Sequence, residues 1–299
     1  ISISLPDPPE SGEIMLTLEG VCKEYGSTRV LDAVDLTVRR GQRFAIVGLN
    51  GAGKSTLLRI LSGVNSPTQG SVTTGTGVHI AYYAQDSADT LPPDHTVYEY
   101  VAQRASSAAL SEVRGILGAF LFDEDALDKQ LSVLSGGERS RLVMAGLLVQ
   151  PSNLLILDEP TNHLDMTSQQ VLARALAQYR GSVIVVSHDR YFLRAVSTDV
   201  LALWPRSLPK ELRPPRAWRY YPGSYREFEG SHLGEVFATA ETWSAPQTAQ
   251  APPAPIENPP KNNYEQRKAL KGEVRRLERQ ERELMQSLER LEETHQEIQ

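Results

Sequence analysis

Cysteine is almost missing from this chain: Cys22 is the only one in 299 residues, so no disulfide can form within it, and a reducing, cytoplasmic setting is expected. Long apolar runs are missing too. Stretches such as 154–157 and 183–186 stop far short of the ~20 residues that span a bilayer, so no membrane segment is read in the chain itself. Basic residues are outnumbered, with 31 Lys and Arg against 37 Asp and Glu and a formal charge of -6. That balance argues against a protein that coats nucleic acid by bulk electrostatics, and any RNA contact has to be local. The sequence begins at Ile1 rather than Met and stops at Gln299 inside a helical pattern, from which a piece of a longer chain is expected.

From residue 14 to about 237, short β-branched or apolar runs alternate with helical stretches, the pattern of a mixed α/β domain. Strands are expected over 15–21, 44–47, 78–83, 154–157, 183–186 and 199–203. The stretch from about 86 to 150 reads as a helical subdomain, with helices expected over 97–104 and 110–122. Residues 238–260 turn to Ala, Pro, Gln and Thr, a linker composition that cannot supply a core. Beyond it, over 261–299, Leu270, Val274, Leu277, Leu284, Leu288, Leu291 and Ile298 recur in steps of four and three, or their sum. Glu281 and His295 fill the gaps of this heptad seam, which asks for a partner helix and reads as a coiled coil.

The chemistry concentrates in two places. Gly48, Leu49, Asn50, Gly51, Ala52, Gly53, Lys54, Ser55 and Thr56 fit the phosphate-loop pattern, after a strand and before a helix expected over 57–62. Its glycines let successive N–H groups face phosphate oxygens, the helix N-terminus adds positive potential, Lys54 spans the outer phosphates of ATP, and Ser55 can ligate Mg²⁺. The second place is the apolar run Leu154-Leu155-Ile156-Leu157, which ends in Asp158 and Glu159. There Asp158 would hold Mg²⁺ through water and Glu159 would polarise the attacking water.

Leu134-Ser135-Gly136-Gly137-Glu138 lies shortly upstream of that acidic strand. Ser135 is placed to cap a helix beginning near Gly136, which would present free N–H groups to an anion. With this segment, the order of phosphate loop, Gln85, Ser135–Gly137, acidic strand and His188 resembles the ATP-binding cassette family, a P-loop NTPase fold with a helical subdomain. The resemblance implies an ATPase whose Ser135, Gly136 and Gly137 hold the γ-phosphate bound by a second cassette, so that two cassettes sandwich the nucleotide. It further implies that Gln85 senses Mg²⁺ and the attacking water, Asp165 contacts the other cassette, His188 meets the γ-phosphate, and Tyr25 stacks on adenine.

The wording around the motifs, Asp158-Glu159-Pro160-Thr161-Asn162-His163-Leu164-Asp165 and Ser187-His188-Asp189-Arg190-Tyr191-Phe192-Leu193, resembles the ABC-F subfamily, as does Tyr221-Pro222-Gly223-Ser224-Tyr225. That resemblance implies a twin-cassette ATPase acting on the ribosome, with rRNA or tRNA as partners, as a translation or ribosome-protection factor. Residues 1–13 then look like the end of an inter-cassette linker, 14–237 like the C-terminal cassette, and 261–299 like part of a coiled coil. The second cassette would belong to the same full-length chain or to a homodimer. Two other readings are the ATP-binding subunit of an ABC membrane transporter and a non-catalytic ATP-gated scaffold, the latter opposed by the presence of Glu159. Residues 205–219 depart from the subfamily: they are long and locally basic, with Arg213, Arg216 and Trp218 suited either to RNA or to a solvated loop.

Overall fold

Runs such as Leu154-Leu155-Ile156-Leu157 are apolar at every position, and only a strand covered on both faces can bury all of it. The computed structural model describes residues 5–84, 87, 91–209 and 214–241 and places these runs in one six-stranded sheet. Its order is β5 (Ile80–Tyr83), β6 (Leu154–Asp158), β7 (Ser182–Val186), β3 (Arg43–Gly48), β8 (Asp199–Leu203) and β9 (Trp218–Tyr221). The first five strands run parallel, and β9 closes the edge antiparallel to β8. Side chains alternate between two cores, as the two-residue period of a strand requires. Phe44, Ile46, Leu154, Ile156, Ile184 and Val186 face α1 (Lys54–Leu61) and a second, three-stranded sheet. Ala45, Val47, Leu155, Leu157, Val183 and Val185 face the helical side.

The second sheet has the order β2-β1-β4, with β1 spanning Ile14–Tyr25, β2 Thr28–Arg39 and β4 Gln69–Thr74, all antiparallel. Only part of β1 was expected. The pairing of β1 with β2 carries several register shifts, and Gly20 and Ala33 have positive φ, so the period-two pattern is broken where bulges intervene. Likewise β9 is short and its burial does not alternate cleanly, which hid it from a pattern reading.

The helical side is built from α2 (Val97–Ala102), α3 (Val113–Ala119), α4 (Gly136–Leu148), α5 (Met166–Gln178), α6 (Arg190–Val196), α7 (Tyr225–Glu229) and α8 (His232–Glu241). The helix expected over 110–122 is divided. Ser107–Glu112 forms a tighter 3-10 turn, α3 follows, and Leu121 at φ 65 ends it. The helix expected over 97–104 stops at Ala102, and Arg104 turns back to donate to the Tyr100 carbonyl at 2.8 Å. Thr96 with Glu99, Ser135 with Glu138 and Ser224 with Glu227 each form a capping box, which fixes where α2, α4 and α7 begin. Among the described residues no helix is long and apolar enough to cross a membrane. Gln85, the greater part of the 238–260 linker, the 261–299 coiled-coil segment and Arg213 lie outside the described residues.

Candidate functional site

Neighbouring parallel strands end on the same side of a sheet, so the turns after β3, β6 and β7 gather at one edge, where open α/β sheets hold ligands. The turn after β3 is the phosphate loop. Gly53, at φ 93, is the N-cap of α1 and contributes no side-chain cap, which leaves the first-turn N–H groups of the helix for a ligand. A Cβ there would also lie 2.8 Å from side-chain atoms of both Val30 and Leu31, so these β2 side chains close against this glycine. Lys54 curls over the loop and donates from Nζ to the Gly48 carbonyl at 2.7 Å.

A cleft of about 510 Å³ opens above this loop. It is lined by Asn50, Gly51, Ala52, Gly53, Lys54, Ser55 and Thr56, and on the other side by Val30, Glu159, Asn162, Val186 and His188. Asp158 ends β6 and is 3% exposed. Burial pushes its carboxyl above the ordinary carboxylate value, against a hydrogen bond with Ser55 and the charges of Arg59 and Lys54. Its Oδ1 is buried with no hydrogen-bond partner. An ionisable oxygen held dry beside a serine hydroxyl is a poor arrangement for a protein alone and a fitting one for a hard divalent cation.

Glu159 follows with φ 51, a left-handed conformation unusual for a side chain of this kind. Its backbone N–H donates to Val186 O at 2.9 Å, which carries the side chain across the end of β7. There its Oε2 accepts from the His188 backbone N–H at 3.2 Å, and Oε1 lies 3.4 Å from His188 Nε2 without hydrogen-bond alignment. The His188 imidazole itself is largely solvent-exposed.

Ser135 behaves differently from these groups. It caps α4, accepting from Glu138 N–H at 3.4 Å while its own N–H donates to Glu138 Oε2 at 2.8 Å. Ser135 and Gly136 are exposed, Gly137 is half-buried, and none of the three lines the cleft. Asp165 caps α5, accepting from Ser168 N–H at 3.0 Å, and meets Arg141 of α4 at 3.4 Å. Tyr25, at the β1–β2 hairpin, is 48% exposed, carries the Lys23 ammonium 5.4 Å from its ring centroid and does not line the cleft. In the basic segment, Arg206 pairs with Asp32 and Arg216 with Asp35, so two of its arginines already face carboxylates of β2.

The sequence reading passed over Val30 and Asn162, which line the cleft. It also passed over the buried contact between Thr161 and Ser187. Asn162 had a signal, since it sits three residues after Glu159 inside a recognised motif. Val30 had none, because only the fold of β2 against Gly53 brings it there.

The sequence model of the ABC transporter family matches residues 31–162. ABC transporter F family member 5 of Arabidopsis thaliana is 39% identical over 202 residues, which make up 67% of this chain and 29% of that protein. The probable ATP-binding protein YheS of Escherichia coli K12 is 38% identical over 205 residues, 69% of this chain and 31% of YheS. The chain thus spans about a third or less of the length of these curated relatives. The dimeric structure of MJ0796, a bacterial ABC transporter cassette, superposes with a TM-score of 0.56 at 24% identity, covering 64% of this chain and 95% of that one. Residues 31–162 therefore carry an ABC transporter family domain, and the homologues of the chain include ABC-F family members.

Proposed function

We propose that this chain binds ATP with Mg²⁺ in the cleft and hydrolyses it only when a second cassette closes over it, as one half of an ABC-F ATPase that acts on the ribosome in the cytoplasm. One observation carries the reading. The phosphate loop, Glu159 and His188 converge on one cleft with Asp158 beside Ser55, while the Ser135 helix cap stands exposed outside it. A complete site then needs a Ser135–Gly137 segment from elsewhere, and this chain's own segment serves a partner's nucleotide.

In this reading the loop N–H groups and Lys54 hold the phosphates, Glu159 orients and polarises the attacking water, and His188 meets the γ-phosphate. Ser55 and Asp158 would hold Mg²⁺, and the ion supplies positive charge against the phosphate oxygens. Tyr25 stacks on adenine, Gln85 reads the metal and water, and Asp165 touches the other cassette. The second cassette belongs to a longer form of this chain or to a second copy, and the 261–299 seam pairs with a partner helix. The ribosome as target rests on the wording of the motifs at 158–165 and 187–193 and on the kinship with F-family members.

The test is Glu159→Gln, which keeps the shape of the side chain and removes the base. ATP should then trap the protein on ribosomes in cosedimentation, with rRNA or tRNA contacts recoverable by crosslinking. Trapping on membranes instead would overturn the ribosomal assignment in favour of a transporter subunit.

A further inference from the structure

Glu159 and His188 sit on different turns, and something must hold those turns together while Glu159 keeps a left-handed backbone. Two buried hydroxyls do so. Thr161 and Ser187 are 6% and 7% exposed, and their oxygens lie 3.0 Å apart. Ser187 Oγ also accepts from Asp189 N–H at 3.0 Å, which ties it to both sides of His188. On the other turn, the Gln169 side-chain amide donates to the carbonyls of Thr161 and Leu164 at 3.1 Å each, anchoring the loop from α5. Ser187 Oγ is thus fixed to its own turn and the Thr161 backbone to α5, and the contact between the two hydroxyls joins the turns.

We infer that Thr161 and Ser187 are positioning residues that clamp the Glu159 turn to the His188 turn, setting where the carboxylate stands relative to the phosphate end of the cleft. The inference rests on the ATPase reading above. Neither hydroxyl lines the cleft, so the clamp acts through Glu159 and His188 and bears on turnover rather than on nucleotide affinity. Thr161 carries the cleaner test, because valine keeps its shape and removes only the hydroxyl.

The experiment measures steady-state ATP hydrolysis by the full chain at saturating protein concentration, together with binding of a fluorescent ATP analogue and thermal melting. Thr161→Val should lower kcat about tenfold with KM and analogue binding within about twofold, and Thr161→Ser should restore turnover. In a double-mutant cycle, Thr161→Val with Ser187→Ala should cost no more than the larger single change. Additive losses, an unchanged kcat in Thr161→Val, or a loss of analogue binding matching the loss of rate would overturn the clamp. If Thr161→Val melts too early to assay, the Ser187→Ala kcat and its KM decide in the same way. Absence of turnover in the unsubstituted chain and in its longer form alike would overturn the ATPase reading and the clamp with it. Turnover that Glu159→Gln abolishes but Thr161→Val spares would overturn the clamp alone.

Discussion

Replacing Asp158 by Asn should stabilise the protein while disabling it. The side chain is 3% exposed, its Oδ1 has no hydrogen-bond partner, and burial raises its pKa above the ordinary 3.8 despite Ser55, Arg59 and Lys54. A carboxylate kept charged there works against folding, and the isosteric amide removes the charge while retaining an oxygen and a nitrogen for Ser55. Relief of the desolvation of one buried charge is worth about 1–3 kcal/mol, which for a domain of this size moves Tm up on the order of 5 °C. The pH dependence has a definite sign. With the folded pKa raised, the native state holds the proton more tightly, so the penalty builds as pH rises from 3.8 to the raised value and is complete above it. The difference in Tm between Asp158→Asn and the unsubstituted chain should therefore be largest at neutral pH and fade on acidification toward 3.8. Differential scanning calorimetry without nucleotide reads both, and adding Mg²⁺ and ATP should narrow or reverse the gap, since only the unsubstituted chain gains from the ion. A lower Tm for the Asn variant at neutral pH, or a gap independent of pH, would refute the reasoning.

Ser135→Ala removes the cap of α4 and should cost about 1 kcal/mol, read as an earlier melt. Because the hydrogen bonds from Ser135 hold the Glu138 carboxyl below its usual value, that cost should be larger at neutral pH and shrink as pH falls through the lowered pKa, where the unsubstituted chain loses the same support. Tyr220 donates to Asp199 at 2.7 Å, and burial followed by that carboxylate pushes its phenol up to about 12. Its contribution to stability is present below pH ~10 and lost as pH rises toward the folded value, so Tyr220→Phe should flatten the alkaline end of a denaturation profile, and an unchanged profile would discount the Asp199 contact.

The phosphate loop and acidic strand were legible because each is a contiguous string between an apolar strand and a turn, where residue type and order carry the chemistry. The Ser135 cap was legible for the same reason, since Glu138 three residues on completes a local box. What escaped depends on contacts between distant parts of the chain. Val30 reaches the cleft only because β2 closes on Gly53, and Thr161 meets Ser187 only because β6 and β7 are neighbours in register, with Asp158 opposite Val186. The left-handed Glu159 was invisible for a stronger reason. Local preference opposes it by about 1–3 kcal/mol, so it exists through tertiary anchors that no propensity records. The antiparallel sheet was mostly missed because bulges break its alternation, and charged Asp32 and Asp35 stand within β2.

If each chain contributes two unlike half-sites, inactive variants must be able to repair one another. A Glu159→Gln chain lacks the group that polarises water but retains an intact Ser135 cap. A Ser135→Arg chain lacks the cap, which sits in the open at the start of α4, and retains the phosphate loop with Glu159. In a two-fold pair of the two variants, one composite site combines both defects and the other has none. Mixed in equal amounts and paired at random, half of the pairs are hybrids with one working site of two, so turnover should recover to about one quarter of the unsubstituted level. Each variant alone should stay near zero, and the recovered rate should rise with total protein concentration. A mixture as inactive as its components, in a range where the unsubstituted chain turns over, would show that the exposed cap does not complete a neighbour's site in pairs of this chain. Recovery independent of concentration would show instead that the pairs exist before nucleotide arrives, leaving closure rather than encounter as the step that ATP drives.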